Sequence, residues 1–158
     1  MAGFVANEPS NSESAEAVIT NDDGFFPDID PKKFRGEVRQ DKTVTSPRLR
    51  ECLAIAMAAA NRQLATWRAR KEAAGHASLA DVPAPAVGSE STLLLYYRRA
   101  VYCLAKAELL ERYQDFDATN SATQQADTQE GEQDFYRRDA RWALSDLQGL
   151  PRSVVELI

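Results

Sequence analysis

Two apolar stripes at helical spacing constrain this chain more than anything else in its sequence. Leu53, Met57, Ala60, Leu64 and Trp67 step by 4, 3, 4 and 3 residues, and Leu93, Tyr97, Ala100, Leu104 and Ala107 repeat the same steps. Such intervals place side chains on one side of a 3.6-residue helix, whereas a strand alternates every second residue. Each stripe must be covered by another element, so two of them predict helices packed face to face. The first helix starts at Ser46-Pro47 and stops at Gly75, with no proline or glycine between, and these are the expected signals at the two ends. At 1.5 Å per residue it is about 40 Å long. Its polar side carries Arg50, Arg62, Arg68, Arg70 and Lys71. Ser89 or Ser91 is placed to cap the second helix, which runs to about Tyr113.

The remaining segments are weaker. A third helix is predicted through Tyr136, Ala140, Ala143 and Leu147, flanked by Phe135 and Trp142 and ended by Gly149 and Pro151. The acids Asp127, Glu130, Glu132 and Asp134 lie near its start, where the helix dipole favours them. Asp30-Pro31 starts a short helix through Phe34 and Val38, weakened by Gly36. Residues 76–88, with Pro83, Pro85 and Gly88, predict an ordered but irregular connection, and residues 114–131 a flexible polar loop. The net charge of −5 is uneven: residues 1–30 hold seven acids and no Lys or Arg, which leaves a slightly basic body. Residues 1–24, polar and without spaced large apolar groups, predict a disordered acidic arm. The expected fold class is therefore all-α. Residues 25–158 form one domain, a small bundle of two long helices plus a third, ending in a short extended tail.

Catalysis finds little to work with. His76 is the one histidine and follows a glycine in a turn, and Cys52 and Cys103 fall inside apolar helical patterns that suit small buried hydrophobes. Neither a zinc-ligand spacing nor a glycine-rich phosphate loop occurs. Asp22, Asp23, Asp28 and Asp30 are the best candidates for a cation site, but Asp30 is better explained as a helix cap. The expectation is a protein without enzymatic activity, cofactor or metal. No apolar run approaches the roughly 20 residues that span a bilayer, and the start, Met1-Ala-Gly-Phe-Val, lacks the pattern of a secretory signal. A reducing cytoplasm is the expected folding environment, for a chain acting alone or within a particle.

The binding features are more informative. Phe25, Phe26 and Ile29 crowd a short proline-bounded segment and read as an anchor laid into a groove. At the other end Arg152, Val154, Val155, Leu157 and Ile158 form an apolar, β-prone finish that calls for cover by a partner chain. These eight residues are the candidate protein interface. Arginine clusters at 48 and 50, at 68 and 70 with Lys71, at 98 and 99, and at 137, 138 and 141 allow a second class of function, a small DNA-binding packaging factor. The simpler account is a solvated helix face with ion pairs such as Glu108 to Arg112.

From Phe25-Phe-Pro-Asp-Ile-Asp-Pro31 onward the sequence resembles the L-type head completion proteins of peduoviruses, contractile-tailed temperate phages. The likeness continues in Ser46-Pro-Arg-Leu-Arg-Glu51, Ala74-Gly75, Leu79-Ala-Asp-Val-Pro83, Tyr96-Tyr97 with Arg99-Ala-Val101, and Glu111-Arg-Tyr113. It closes with Arg141-Trp-Ala143, Gln148-Gly149 and Pro151-Arg152, so it covers residues 25–158 in order and leaves out residues 1–24 and the insert near 118–130. The resemblance implies a structural virion protein that joins the portal after DNA packaging, stabilises the filled head and forms part of the head-tail connector. It implies as partners the portal protein, neighbouring copies in a dodecameric ring, and a tail-side neck or tail terminator protein, with contact to packaged DNA left open and no membrane. The expected location is the virion neck, reached from the host cytoplasm during assembly.

Overall fold

A computed structural model describes residues 16–38, 44–113 and 122–152. Among them four α-helices occur: α1 Pro31–Glu37, α2 Ser46–Ala73, α3 Thr92–Tyr113 and α4 Ala122–Gln148. A 3-10 turn, Leu79–Asp81, and a two-stranded hairpin of β1 Ala86–Val87 and β2 Glu90–Ser91 lie between α2 and α3. The architecture is all-α apart from this small hairpin. The expected pair of long helices plus a lesser third becomes three helices of 28, 22 and 27 residues. The third gains its length because α4 begins inside the stretch expected to be a loop, and Gly131 is taken into the helix. Residues 114–121 lie outside the described part.

Both stripes do what their spacing requires. Leu53, Met57, Ala60, Leu64 and Trp67 are buried on α2; Leu93, Tyr97, Ala100 and Ala107 are buried on α3, with Leu104 packed partly against the core. Helix α3 lies between the other two. It runs antiparallel to α2, since Tyr97 meets Asn61 and Arg112 meets Glu51. It is also antiparallel to α4, since Arg99 meets Asp139 and Gln133 meets the Ala107 carbonyl. Ala140, Ala143, Leu144 and Leu147 close the bundle from α4.

Most of the end signals act as the sequence predicts. The Asp30 carboxylate accepts from Lys32 N–H at 2.9 Å, and Pro31 opens α1. The Ser91 hydroxyl accepts from Leu93 N–H at 3.3 Å at the start of α3. Gly75, with φ of 95°, reverses the chain after α2, where the His76 N–H returns to the Lys71 carbonyl. Ser46 differs: it is the first residue of α2, and its hydroxyl turns away to donate to Glu16 at 2.8 Å. In the hairpin Gly88 and Ser89 both have positive φ, 57° and 67°, the backbone of a tight turn whose twist matches that of antiparallel strands.

The boundary of the N-terminal arm also moves. Residues 16–30 run as a strap across α1, α2 and α3, folded on itself by a pair of backbone hydrogen bonds between Ile19 and Ile29 at 2.8 and 3.0 Å. Residues 1–15 lie outside the described part.

Candidate functional site

The strap is the most elaborate contact in the molecule. Phe25, Phe26 and Ile29, expected to anchor the protein on a partner, are only 2%, 3% and 2% exposed. The groove that receives them belongs to the same chain. Phe26 stacks on Tyr97 with ring centres 4.9 Å apart and planes 5° from parallel, and Phe25 meets Trp67 edge-on at 6.4 Å. Pro27 and Pro31 interrupt this short segment and keep it out of a regular helix or strand, and its two rings wedge between α2 and α3, where the stripes leave apolar surface to fill. As the strap stands, these residues are core and present no outward interface.

Polar groups then fix the register. The Tyr97 hydroxyl donates to Asn61 Oδ1 at 2.6 Å, Asn61 Nδ2 donates to Asn21 Oδ1 at 2.7 Å, and Asn21 Nδ2 donates back to the Tyr97 hydroxyl at 2.8 Å. This closed triangle joins the strap, α2 and α3, and burial pushes the Tyr97 phenol well above its ordinary pKa of 10. Asn21 Nδ2 also reaches the Pro27 carbonyl at 3.0 Å. Sequence reasoning passed over Asn21 because a lone asparagine in a polar segment is indistinguishable from a solvated one.

The acids of the strap hold structure. Asp28 accepts from Asn21 N–H at 2.8 Å, Asp23 accepts from Phe25 N–H at 3.0 Å, and Asp22 takes the Thr20 hydroxyl at 3.1 Å. Asp23 also pairs with Arg68 at 2.7 Å, whose guanidinium lies 5.4 Å from the Phe25 ring centre. Glu16 binds the Ser46 hydroxyl and Arg35, and these two bonds hold its carboxyl below the ordinary 4.5. Among the described residues no group of three or more His, Cys, Asp or Glu side chains is arranged to hold a metal ion.

Three of the four arginine clusters have members engaged with carboxylates. Arg98 grips Glu90 at 2.6 Å, Arg99 meets the buried Asp139 at 2.8 Å, Arg137 meets Glu111 at 2.6 Å, and Arg112 pairs with Glu108 at 2.8 Å as the sequence predicted. Apart from the pair on buried Asp139, surface pairs of this kind contribute little stability each, at most about 1 kcal/mol. Within the clusters they offset Arg68, Arg98, Arg99 and Arg137, which lowers the field a nucleic acid would meet at those positions. His76 is partly buried in the turn after α2, and Cys52 and Cys103 are buried free thiols, pushed up to about 11 by desolvation. A shallow cavity of about 290 Å³ opens between α2, α3 and α4, floored by Ile55, Ala59, Leu104 and Ala107 and rimmed by Glu111 and Arg137. It brings together no nucleophile and base.

At the opposite end Arg152 is exposed and bound to Asp146, whereas Val154, Val155, Leu157 and Ile158 lie outside the described residues. The geometry therefore resolves into a noncovalent scaffold with a packed N-terminal strap. The family of phage head completion proteins (GPL) matches residues 19–158. This chain belongs to that family. The match begins at Ile19, the residue with which the Ile19–Ile29 bridge opens, three residues into the strap. A relative, the head completion/stabilization protein of Escherichia phage P2, is 45% identical over 143 residues, covering 90% of this chain and 84% of its own length. No solved structure matches the chain. Membership makes the protein a structural component of a bacteriophage virion concerned with head completion, and the family is not one of known enzymes. No helix among the described residues is long and apolar enough to cross a membrane.

Proposed function

We propose that this protein docks on the portal vertex once DNA has been packaged, stabilises the filled head and helps to retain the genome, and forms part of the connector that receives a tail. Its copies stand side by side in a dodecameric ring on the portal, with a neck or tail terminator protein on the far side. Assembly takes place in the host cytoplasm, and the product is the virion neck. The observation that carries this reading is the family match over residues 19–158, which takes in the strap and every helix together. A helical body without a reactive cleft among the described residues suits a part whose work is contact. The outward contact residues are Arg152, Val154, Val155, Leu157 and Ile158, whose apolar side chains gain from cover by another polypeptide. The strap residues Phe25, Phe26 and Ile29 contribute by stiffening the surface from beneath.

The alternative, a DNA-binding packaging factor, draws less support, because Arg68, Arg98, Arg99, Arg137 and Arg152 already hold carboxylates. Mixing the purified protein with its portal and imaging the particles by electron microscopy separates the two. Rings on the portal from a protein that binds free DNA weakly support docking. Absence of association with portal, together with tight and salt-dependent DNA binding, overturns it.

A further inference from the structure

Helix α4 carries an ordered row of rings and cations. The Arg138 guanidinium stands 5.1 Å from the Phe135 ring centre and 4.6 Å from that of Trp142, and Arg152 lies 5.1 Å from Trp142. Residues 135, 138 and 142 are three and four apart, so they share one side of the helix, turned away from the core side of Ala140, Ala143, Leu144 and Leu147. Phe135 is 46% exposed. Arg152 is held by both oxygens of Asp146, whereas the exposed Arg138 and Arg141 have no ion pair among the described residues. Aromatic rings and arginine are the side chains that concentrate binding energy where proteins meet. Nucleic acid is a poorer fit, because residues 131–152 hold four acids and four arginines and so offer no net positive charge to a polyanion.

The strap has the complementary charge. Residues 16–30 hold five acids and no Lys or Arg. Glu16 and Asp23 are paired with Arg35 and Arg68. Asp22 and Asp28 are exposed, bond the Thr20 hydroxyl and the Asn21 N–H, and have no ion pair among the described residues. The same segment exposes an apolar group, Val18, at 49%. Strap and row cannot meet within one chain. The strap and α1 reach α3 at Tyr97 and Tyr102, and α4 reaches it at Arg99 and Ala107. At 3.6 residues per turn those positions lie on opposite sides of α3, and the row faces outward from α4. Two complementary faces that point apart join one copy to the next head to tail, an arrangement that closes into a ring or runs on as a filament.

We infer that the Phe135–Arg138–Trp142 row of one copy packs against the Asp22 and Asp28 surface of the strap in the next. This rests on the ring reading above and names the two faces that such a ring joins. Burial of the rings drives the contact, and Arg138 and Arg141 opposite Asp22 and Asp28 fix its register. The row is about 10 Å long at the helical rise. So small a contact is weak between free copies and gains when a portal sets them side by side.

Cross-linking between copies of the full chain tests this. One variant carries Asp134→Cys, next to Phe135, and another Thr20→Cys, next to Asp22, so that the row and both strap acids stay intact. The two are mixed at high concentration and, in a second arm, on the portal, and are treated with a short bis-maleimide. The native thiols are buried and stay protonated at neutral pH, so they do not interfere. Linked dimers are expected from the mixture several-fold faster than from Asp134→Cys mixed with Ala65→Cys on the exposed side of α2. Neither variant alone should link, and a chain carrying both should give a ladder of multimers. Adding Arg138→Glu to the first variant should slow linking several-fold, and adding Asp22→Arg to its partner should restore much of the rate, with circular dichroism unchanged throughout. Rates equal to the control in both arms overturn the inference. Dimers from Asp134→Cys alone overturn it in favour of a two-fold contact through α4, and blocking of that thiol by a single-stranded oligonucleotide, with no mixed link, overturns it in favour of nucleic acid. Rings on the portal without the mixed link sink this contact and leave the portal reading standing; absence of docking sinks the portal reading, and the arm in solution then decides the contact.

Discussion

Replacing Tyr97 with Phe tests whether the strap is held by its polar triangle or by aromatic packing alone. The substitution keeps the ring that stacks on Phe26 at 4.9 Å and removes one oxygen. That oxygen serves two bonds, the donation to Asn61 at 2.6 Å and the acceptance from Asn21 at 2.8 Å. Asn21 Nδ2 retains the Pro27 carbonyl, but Asn61 Oδ1 loses the hydroxyl donor that pointed at it. Two hydrogen bonds at about 0.5–1.5 kcal/mol each, with one acceptor left short of a partner, give a loss of about 2 kcal/mol. For a chain of this size that corresponds to a fall of about 4–8 °C in Tm. Urea unfolding supplies the first number and a thermal scan the second. Because the triangle closes the strap, hydrogen exchange at the Ile19 and Ile29 amides, which bond each other's carbonyls, should accelerate more than exchange within α3. A loss below about 0.5 kcal/mol, the lower bound for a single net hydrogen bond, with unchanged exchange at Ile19 and Ile29, refutes the assignment and leaves the rings as the sole fastening.

Three further outcomes follow from the same geometry. Glu16 has its carboxyl held below the ordinary 4.5, so its contribution is present above that pH and disappears as pH falls through the lowered value. Glu16→Gln should therefore lower stability at neutral pH and flatten the acid limb of a stability-against-pH curve below about 4.5, so that the variant and the parent converge in acid, and an unaltered neutral stability and acid limb count against the clamp on Arg35 and Ser46. Phe34, fully buried and edge-on to Tyr102 at 5.2 Å, should lose about 3–5 kcal/mol on truncation to Ala, read by denaturant midpoint. Cys52 and Cys103 should resist a thiol reagent at neutral pH and react together only when the bundle opens in urea, since burial both shields them and pushes each thiol up to about 11.

The parts of this fold that follow a period were legible, and the parts that depend on one specific partner were not. The stripes of α2 and α3 announce themselves because helical spacing repeats over several turns, and Asp30-Pro31, Gly75 and Gly149 mark ends by local chemistry that needs no tertiary context. The first turns of α4 carry neither signal. Their glutamines and alanines are adequate helix formers, but Gly131 and the polar run resemble a loop, and propensity alone is a weak prior. The strap failed for a different reason. Residues 16–24 offer only Ile19 as a large buried group, and their order comes from Glu16, Asn21 and Asp23 finding Arg35, Asn61, Tyr97 and Arg68 far along the chain. A polar side chain looks the same in sequence whether water or a buried tyrosine satisfies it. The aromatic anchor shows the other half of that problem. Phe25, Phe26 and Ile29 were correctly marked as residues that avoid water, but composition does not say whose surface shields them, and here α2 and α3 of the same chain do.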